Sequence, residues 1–332
     1  MLHAVVCCGI IHIMLKSVVI GETNMIKNLR GSAMLLLAAI IWGTAFVAQS
    51  EGMHYVEPFT YNGIRTLIGG IVLVPVIMLF KKANIHPGAS SGGAKASAGT
   101  TVIGGIVCGS VLFTASSFQQ VAISMTTAGK AGFITALYIV IVPLIEFVLY
   151  RKSSKRIWLC VFIAITGFYL LCIKEGFSIS KGDLLMLVCA FFFAGHIMVI
   201  DRFLGKNVDG MLMACIQFFV SGTLGIIAMF MFENPQIDSI MAAKGTILYA
   251  GILSSGVAYT LQIIGQRHTA PTVATLLMSL ESVFAAISGW LILHESMSAK
   301  EGTGCLMVFM AVILAQLNLP EKKKLKYRKE KK

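Results

Sequence analysis

One carboxylate stands alone in a long apolar run. Residues 271–293 read PTVATLLMSLESVFAAISGWLIL, and Glu281 is the only ionisable side chain among them. About 20 apolar helical residues cross the hydrocarbon core of a bilayer, which puts Glu281 near mid-depth. A carboxylate there is costly, so such residues face a cavity or a partner and mark solute or proton paths. The alternative role for Glu281 is structural, as a permanently protonated group or one paired with an arginine.

Other polar residues in apolar runs fall into the same class. Arg65 lies in the outer third of its run, where a guanidinium can clamp a carboxylate or phosphate or snorkel to the interface. His196 in FFFAGHIMVI is either a proton-linked cavity group or a hydrogen-bonded packing residue. Gln119 and Gln262 are amides suited to helix–helix bonding or to substrate contact. Trp42, Asn62, Gln120 and Tyr259 are candidates for a polar and aromatic lining, with plain packing as the competing role. Glu146 beside Arg151–Lys152 reads as an interfacial ion pair, and Lys130 as a snorkelling residue.

Several chemistries are excluded. The eight cysteines form no CxxC pair and have no His spacing suited to zinc. No GxxxxGK[ST], HExxH or GxSxG occurs. No metal, cofactor or catalytic residue is expected, and any transport would be secondary.

The elements that must hold these residues are membrane spans. The 332 residues are 57% hydrophobic and 13% charged, against about 25% charged in soluble domains. Ten apolar runs are expected as helices at 31–50, 58–80, 101–121, 127–150, 157–174, 182–202, 210–232, 245–266, 271–293 and 301–319. The connection 81–100 is rich in Gly, Ser and Ala and reads as a flexible loop. Residues 1–24 lack the form of a signal peptide. They read as an extension ahead of a start at Met25, or else as an interfacial helix.

Net charge is +12, but eight of the 27 Lys and Arg lie in the tail KKKLKYRKEKK, and most others sit in short loops. That pattern indicates topology and anionic lipid rather than nucleic acid. Lys27, Arg30, Lys81, Lys82, Lys95, Arg151, Lys152, Lys155, Arg156, Arg202, Lys206, Arg267 and the tail fall on one side. Lys174, Lys181, Lys244 and Lys300 fall on the other. Both termini are therefore expected in the cytoplasm, with residues 320–332 as a basic cytoplasmic tail.

The chain also looks doubled. At an offset of 143 residues, Gln119 meets Gln262, Thr126 meets Thr269, Ala131 meets Ala274, and Tyr138 meets Glu281. Two five-span halves, 31–174 and 182–319, must insert in opposite senses because five is odd. Inverted repeats of this kind place a solute site near the midplane, where the halves meet. Tyr138 would face the same cavity as Glu281 from the other half. Gly105 and Gly109, and Ser221 and Gly225, supply close helix approaches.

Three stretches resemble the drug/metabolite transporter superfamily, and within it the EamA-type family. They are Trp42-Gly43-Thr44 and Phe46 leading to Pro58 and Arg65, then TTAGKAGFITALYIVIVPLIEFVLYRK, and last LESVFAAISGWLILHES with Glu281 and Glu295 at the family's spacing. The common proline after the first of these glutamates is Ser282 here, which predicts a straighter span nine. Pro143 keeps a proline in span four. The resemblance implies an all-α protein of ten transmembrane helices in two inverted repeats. It implies a cell-membrane exporter of amino acids, related metabolites or drugs, often coupled to protons.

Two other classes compete with it. A membrane-embedded enzyme would show clustered Asp, Glu and His, and a receptor would need a large soluble segment. Neither feature is present. The partners expected are a small solute, membrane lipids and protons, in a monomer or homodimer.

Overall fold

The computed structural model describes residues 24–82, 98–150, 155–172, 179–206, 208–268 and 277–316. The extension up to residue 23, most of the loop 81–100, Arg151–Lys152 and the basic tail lie outside them. Every regular element among the described residues is helical.

The first half holds α1 (Asn24–Gly52), α2 (Pro58–Lys82), α3 (Ala98–Ile123), α4 (Ala128–Thr135), α5 (Tyr138–Tyr150) and α6 (Lys155–Cys172). The second holds α7 (Lys181–Leu204), α8 (Gly210–Phe232), the short α9 (Ile237–Ala242) and α10 (Lys244–Leu248), a π-helix (Tyr249–Ala258), α11 (Tyr259–His268), α12 (Glu281–Ile292) and α13 (Ala299–Gln316). Five of these, α1, α2, α3, α7 and α8, are long and apolar enough to cross a membrane as single helices. Three shorter apolar helices fall at 128–142, 158–170 and 277–292. The ten expected spans are thus not ten uninterrupted helices.

Packing follows the doubling. α2 lies on α8, α4 on α12, and α6 on α13, and each pair joins equivalent spans of the two halves. The remaining contacts exchange in the same way. α1 packs on α11 and α12, while its counterpart α7 packs on α3, α4 and α5.

Glycines set the sense of these crossings. A Cβ at Gly63 would stand 2.9 Å from Gly225 C, one at Gly222 2.9 Å from Leu67 N, and one at Gly70 3.4 Å from the Phe219 ring. Numbering rises along α2 as it falls along α8, so the two run antiparallel. The fourth and ninth spans do the same, with Gly132 against Ala285 and Gly129 against Ala286. Antiparallel equivalents are what inverted repeats require. The GxxxG of α3 meets α8, with Gly105 against Ile216 and Gly109 against Gln217.

Two breaks matter for the site. Between α4 and α5 the chain turns at Ala136–Leu137, with short bonds from Leu137 N to Ile134 O (3.1 Å) and from Val140 N to Leu137 O (2.9 Å). In span nine the turn is at Leu280, whose N–H reaches Leu277 O at 3.3 Å. At 282, where serine stands in place of the common proline, Ser282 Oγ donates to Ser279 O at 2.9 Å, a side-chain bond of the kind that competes with the helical ladder. At the offset of 143, the two turns are equivalent. Tyr138 and Glu281 each open the helix that follows.

Candidate functional site: a central cavity between the repeats

Tyr138 OH donates to Glu281 Oε1 at 3.0 Å across 143 residues of sequence. Each antiparallel pair of equivalent spans permits such a contact at one place. In an antiparallel pair related by a two-fold axis, equivalent residues meet where the helices cross. Tyr138 and Glu281 therefore lie at that axis, and both are buried.

They line a cavity of about 370 Å³ with Trp42, Arg65, Gln119, His196, Tyr259 and Gln262, a volume within the usual range for small-solute sites. Both halves contribute to the wall. Arg65 lies about 11 Å into α2, counted at 1.5 Å per residue from Pro58. It is 7% exposed, and its Nε has no hydrogen-bond partner. No described carboxylate oxygen comes within 4.0 Å of its guanidinium.

An aromatic wall closes one side. The Trp42 and Tyr259 rings meet edge-on at 5.1 Å and 70°, and Phe218 meets Tyr259 at 5.1 Å and 86°. Trp42 Nε1 donates to Ser254 O at 3.2 Å. That carbonyl belongs to the π-helix, whose wider turn shifts carbonyls away from their usual partners and recurs at functional sites.

The other sequence candidates fall in different places. His196 lines the cavity, and its Nε2 lies 3.2 Å from Gln217 Oε1. Asn62 is not among the lining residues. Its Nδ2 donates to Ser116 Oγ at 2.9 Å, joining α2 to α3. Gln120 is fully buried, with Nε2 3.3 Å from Met53 Sδ. Lys130 pairs with Glu301 at 2.5 Å. Among the described residues there is no cluster of three or more His, Cys, Asp or Glu that could hold a metal.

Sequence reading passed over Gln49, Thr66, Ser116, Thr135, Ser254 and Ser255, which all line the cavity. Gln49 carried the same signal as Gln119, an amide within a span. The serines and threonines carried none, because hydroxyls in membrane helices commonly bond their own backbone.

The sequence profile of the EamA-like transporter family matches residues 29–173 and again residues 180–317. The chain belongs to the EamA-like transporter family. It is a membrane transporter, and two copies of the family's unit make up its two halves. A transporter of Archaeoglobus fulgidus is 28% identical over 300 residues, covering 90% of each chain. The YoaV transporter of Bacillus subtilis is 21% identical over 90% of this chain and 100% of its own. Both relatives are named only as uncharacterized transporters. A chain of known crystal structure superposes with a TM-score of 0.59 at 18% identity, over 86% of this EamA chain and 96% of its own. That likeness concerns the fold.

Proposed function

We propose that this EamA protein exports small zwitterionic solutes, amino acids or related metabolites, across the cytoplasmic membrane by alternating access, with Glu281 exchanging a proton during the cycle. One observation carries the reading. A guanidinium and a carboxyl face one cavity of solute size, bounded by both repeats. Arg65, with Nε unsatisfied, suits a solute carboxylate. Glu281 suits an ammonium, or a proton in its place. The Trp42, Tyr259 and Phe218 wall suits an apolar group between them.

The orientation follows from the Lys and Arg distribution, which puts the termini and basic tail in the cytoplasm. The tail then lies against anionic lipid. A membrane-embedded enzyme is disfavoured, since among the described residues Glu281 and His196 are the only Asp, Glu or His groups lining the cavity.

The test is flux in proteoliposomes under an imposed pH gradient. The Glu281→Gln variant is expected to lose gradient-driven flux while keeping its unfolding temperature within a few degrees of the parent. Unchanged gradient-driven flux refutes the proton role. A thermal-shift panel of amino acids, nucleosides and organic cations tests the solute class, because a ligand at 100 times its Kd stabilises by about 2.7 kcal/mol. Stabilisation by nucleosides or cations alone refutes the zwitterion.

A further inference from the structure

Two glutamates just past the ends of second-half helices turn back onto first-half helices. Glu233 follows α8 and accepts from Phe59 N at 2.6 Å, Thr60 N at 2.7 Å and Thr60 Oγ1 at 2.7 Å. It thereby caps the N-terminus of α2. Glu295 follows α12 and accepts from Ala128 N at 2.6 Å and Gly129 N at 3.1 Å, capping α4. Each cap joins equivalent spans of the two halves, two to seven and four to nine. All four helix termini lie at the same end of the molecule. Two further bonds between the halves lie there, Thr126 Oγ1 to Asp183 Oδ1 at 2.7 Å and Lys130 to Glu301 at 2.5 Å.

The Glu295 cap is shaped by its surroundings. His294 has φ +54°, a left-handed conformation that costs a non-glycine residue about 1–2 kcal/mol. It ends α12 with Glu295 N bonded back to Gly289 O at 3.2 Å. Gly289 leaves room for the carboxylate, since a Cβ there would stand 2.5 Å from Glu295 Oε2.

The repeat differs in sequence at the opposite end. The residue 143 positions before Glu295 is Lys152, and the end of α2, equivalent to the end of α8, carries Lys81 and Lys82. The positive end of a helix dipole attracts a carboxylate and repels an ammonium. Lysine at these positions cannot form the same cap.

We propose that Glu233 and Glu295 are the gate residues of the transport cycle. Their caps latch the two halves together at the end where residues 52–57 lie, and they tilt the resting protein towards opening at the other, lysine-bearing end. Naming the latched end the outer one rests on the orientation proposed above, whereas the latch itself does not.

The experiment uses Ala45→Cys as reporter. Ala45 lines the cavity and lies on α1 towards the latched end. Cells expressing the full chain are treated with a membrane-impermeant maleimide, and labelling of the parent without Ala45→Cys is subtracted. Adding Glu233→Ala or Glu295→Ala is expected to speed reporter labelling about tenfold each, the equilibrium factor for one partly buried terminal charge. Gly289→Ala should act like Glu295→Ala without removing a charge, because its methyl displaces the carboxylate. Glu57→Ala, an exposed carboxylate at the same end, should leave the rate unchanged.

Unchanged labelling in the three latch variants overturns the proposal, as does an equal rise in Glu57→Ala. Lys206→Cys, exposed at the opposite end, reports orientation separately. If it labels in intact cells, the orientation is reversed. The same comparison in inside-out vesicles then decides the latch.

Discussion

Replacing Gly43 by alanine should loosen the protein at its central residue. Gly43 brings α1 against α12, and a Cβ there would stand 2.4 Å from Phe284 Cβ, 2.8 Å from Glu281 O and 2.9 Å from Ala285 N. Two of these three atoms are backbone, so no rotamer change relieves the contact. Optimal carbon–carbon contact begins near 3.5 Å, so the helices must part by about 1 Å. Overpacking of this kind costs about 1–3 kcal/mol. Alanine also gains helix propensity over glycine, by about 1 kcal/mol, which would mask part of the loss. Gly195→Ala supplies the correction, because nothing lies within 4 Å of a Cβ at Gly195 and it sits in a helix as well. The difference between the two variants isolates the packing cost. At about 2 °C per kcal/mol for a chain of this size, Gly43→Ala should unfold about 2–6 °C below Gly195→Ala when purified protein is followed by intrinsic fluorescence. Flux should fall at least tenfold, since a shift of about 1 Å in a working site can cost 10²-fold. Equal unfolding temperatures would refute the close approach of α1 to the Glu281 backbone.

Three further outcomes follow from the same geometry. Tyr138→Phe removes the bond to Glu281 and should cost about 1–3 kcal/mol, and a double-mutant cycle with Glu281→Ala in thermal unfolding should return a coupling of at least about 0.5 kcal/mol; strictly additive losses would refute the contact. Arg65→Gln should raise the half-saturating concentration of a zwitterionic solute tenfold or more in proteoliposomes while barely affecting its decarboxylated amine, and equal losses for both would refute the clamp. His294→Gly relieves a left-handed residue and should stabilise the purified protein by about 1 kcal/mol, visible as a higher unfolding temperature; a lower one would mean that the histidine side chain holds the turn.

The sequence exposed the features whose physics is local or periodic. Apolar runs interrupted by Glu281, Arg65 and His196 announced spans and candidate residues, because charge within apolar helix is rare. The offset of 143 paired Tyr138 with Glu281, which the structure joins at 3.0 Å. Tertiary features were hidden. The turns at Ala136–Leu137 and Leu280 carry neither glycine nor proline. At Leu280 the bond from Ser282 to Ser279 accompanies the turn, and no local residue type marks either position. Asn62 had the composition of a lining residue, but its bond to Ser116 turns it into α3, and nothing in its neighbours signals that. Glu233 sits at an ordinary span end, and Glu295 stood out only through the family resemblance, with no sign of a cap. Their partners lie 174 and 167 residues away, beyond the reach of any capping motif.

The doubled architecture also separates two tasks. If the two halves were identical, a state open on one side would have the same energy as its image open on the other. Only differences between equivalent residues can favour one side. A difference on the pseudo-two-fold axis is equally distant from both ends and cannot tilt that balance by position. Tyr138 and Glu281 form such a difference, so a group placed there can bind solute or proton in both states. Off-axis differences do tilt the balance. Glutamate at 295 stands against lysine at 152, and α8, which Glu233 follows, stands against α2, which ends in Lys81 and Lys82, with helix N-termini within 3.1 Å of the glutamates. On the function and latch proposed above, binding chemistry occupies the axis, and directional preference is written in the carboxylates and lysines at the span ends.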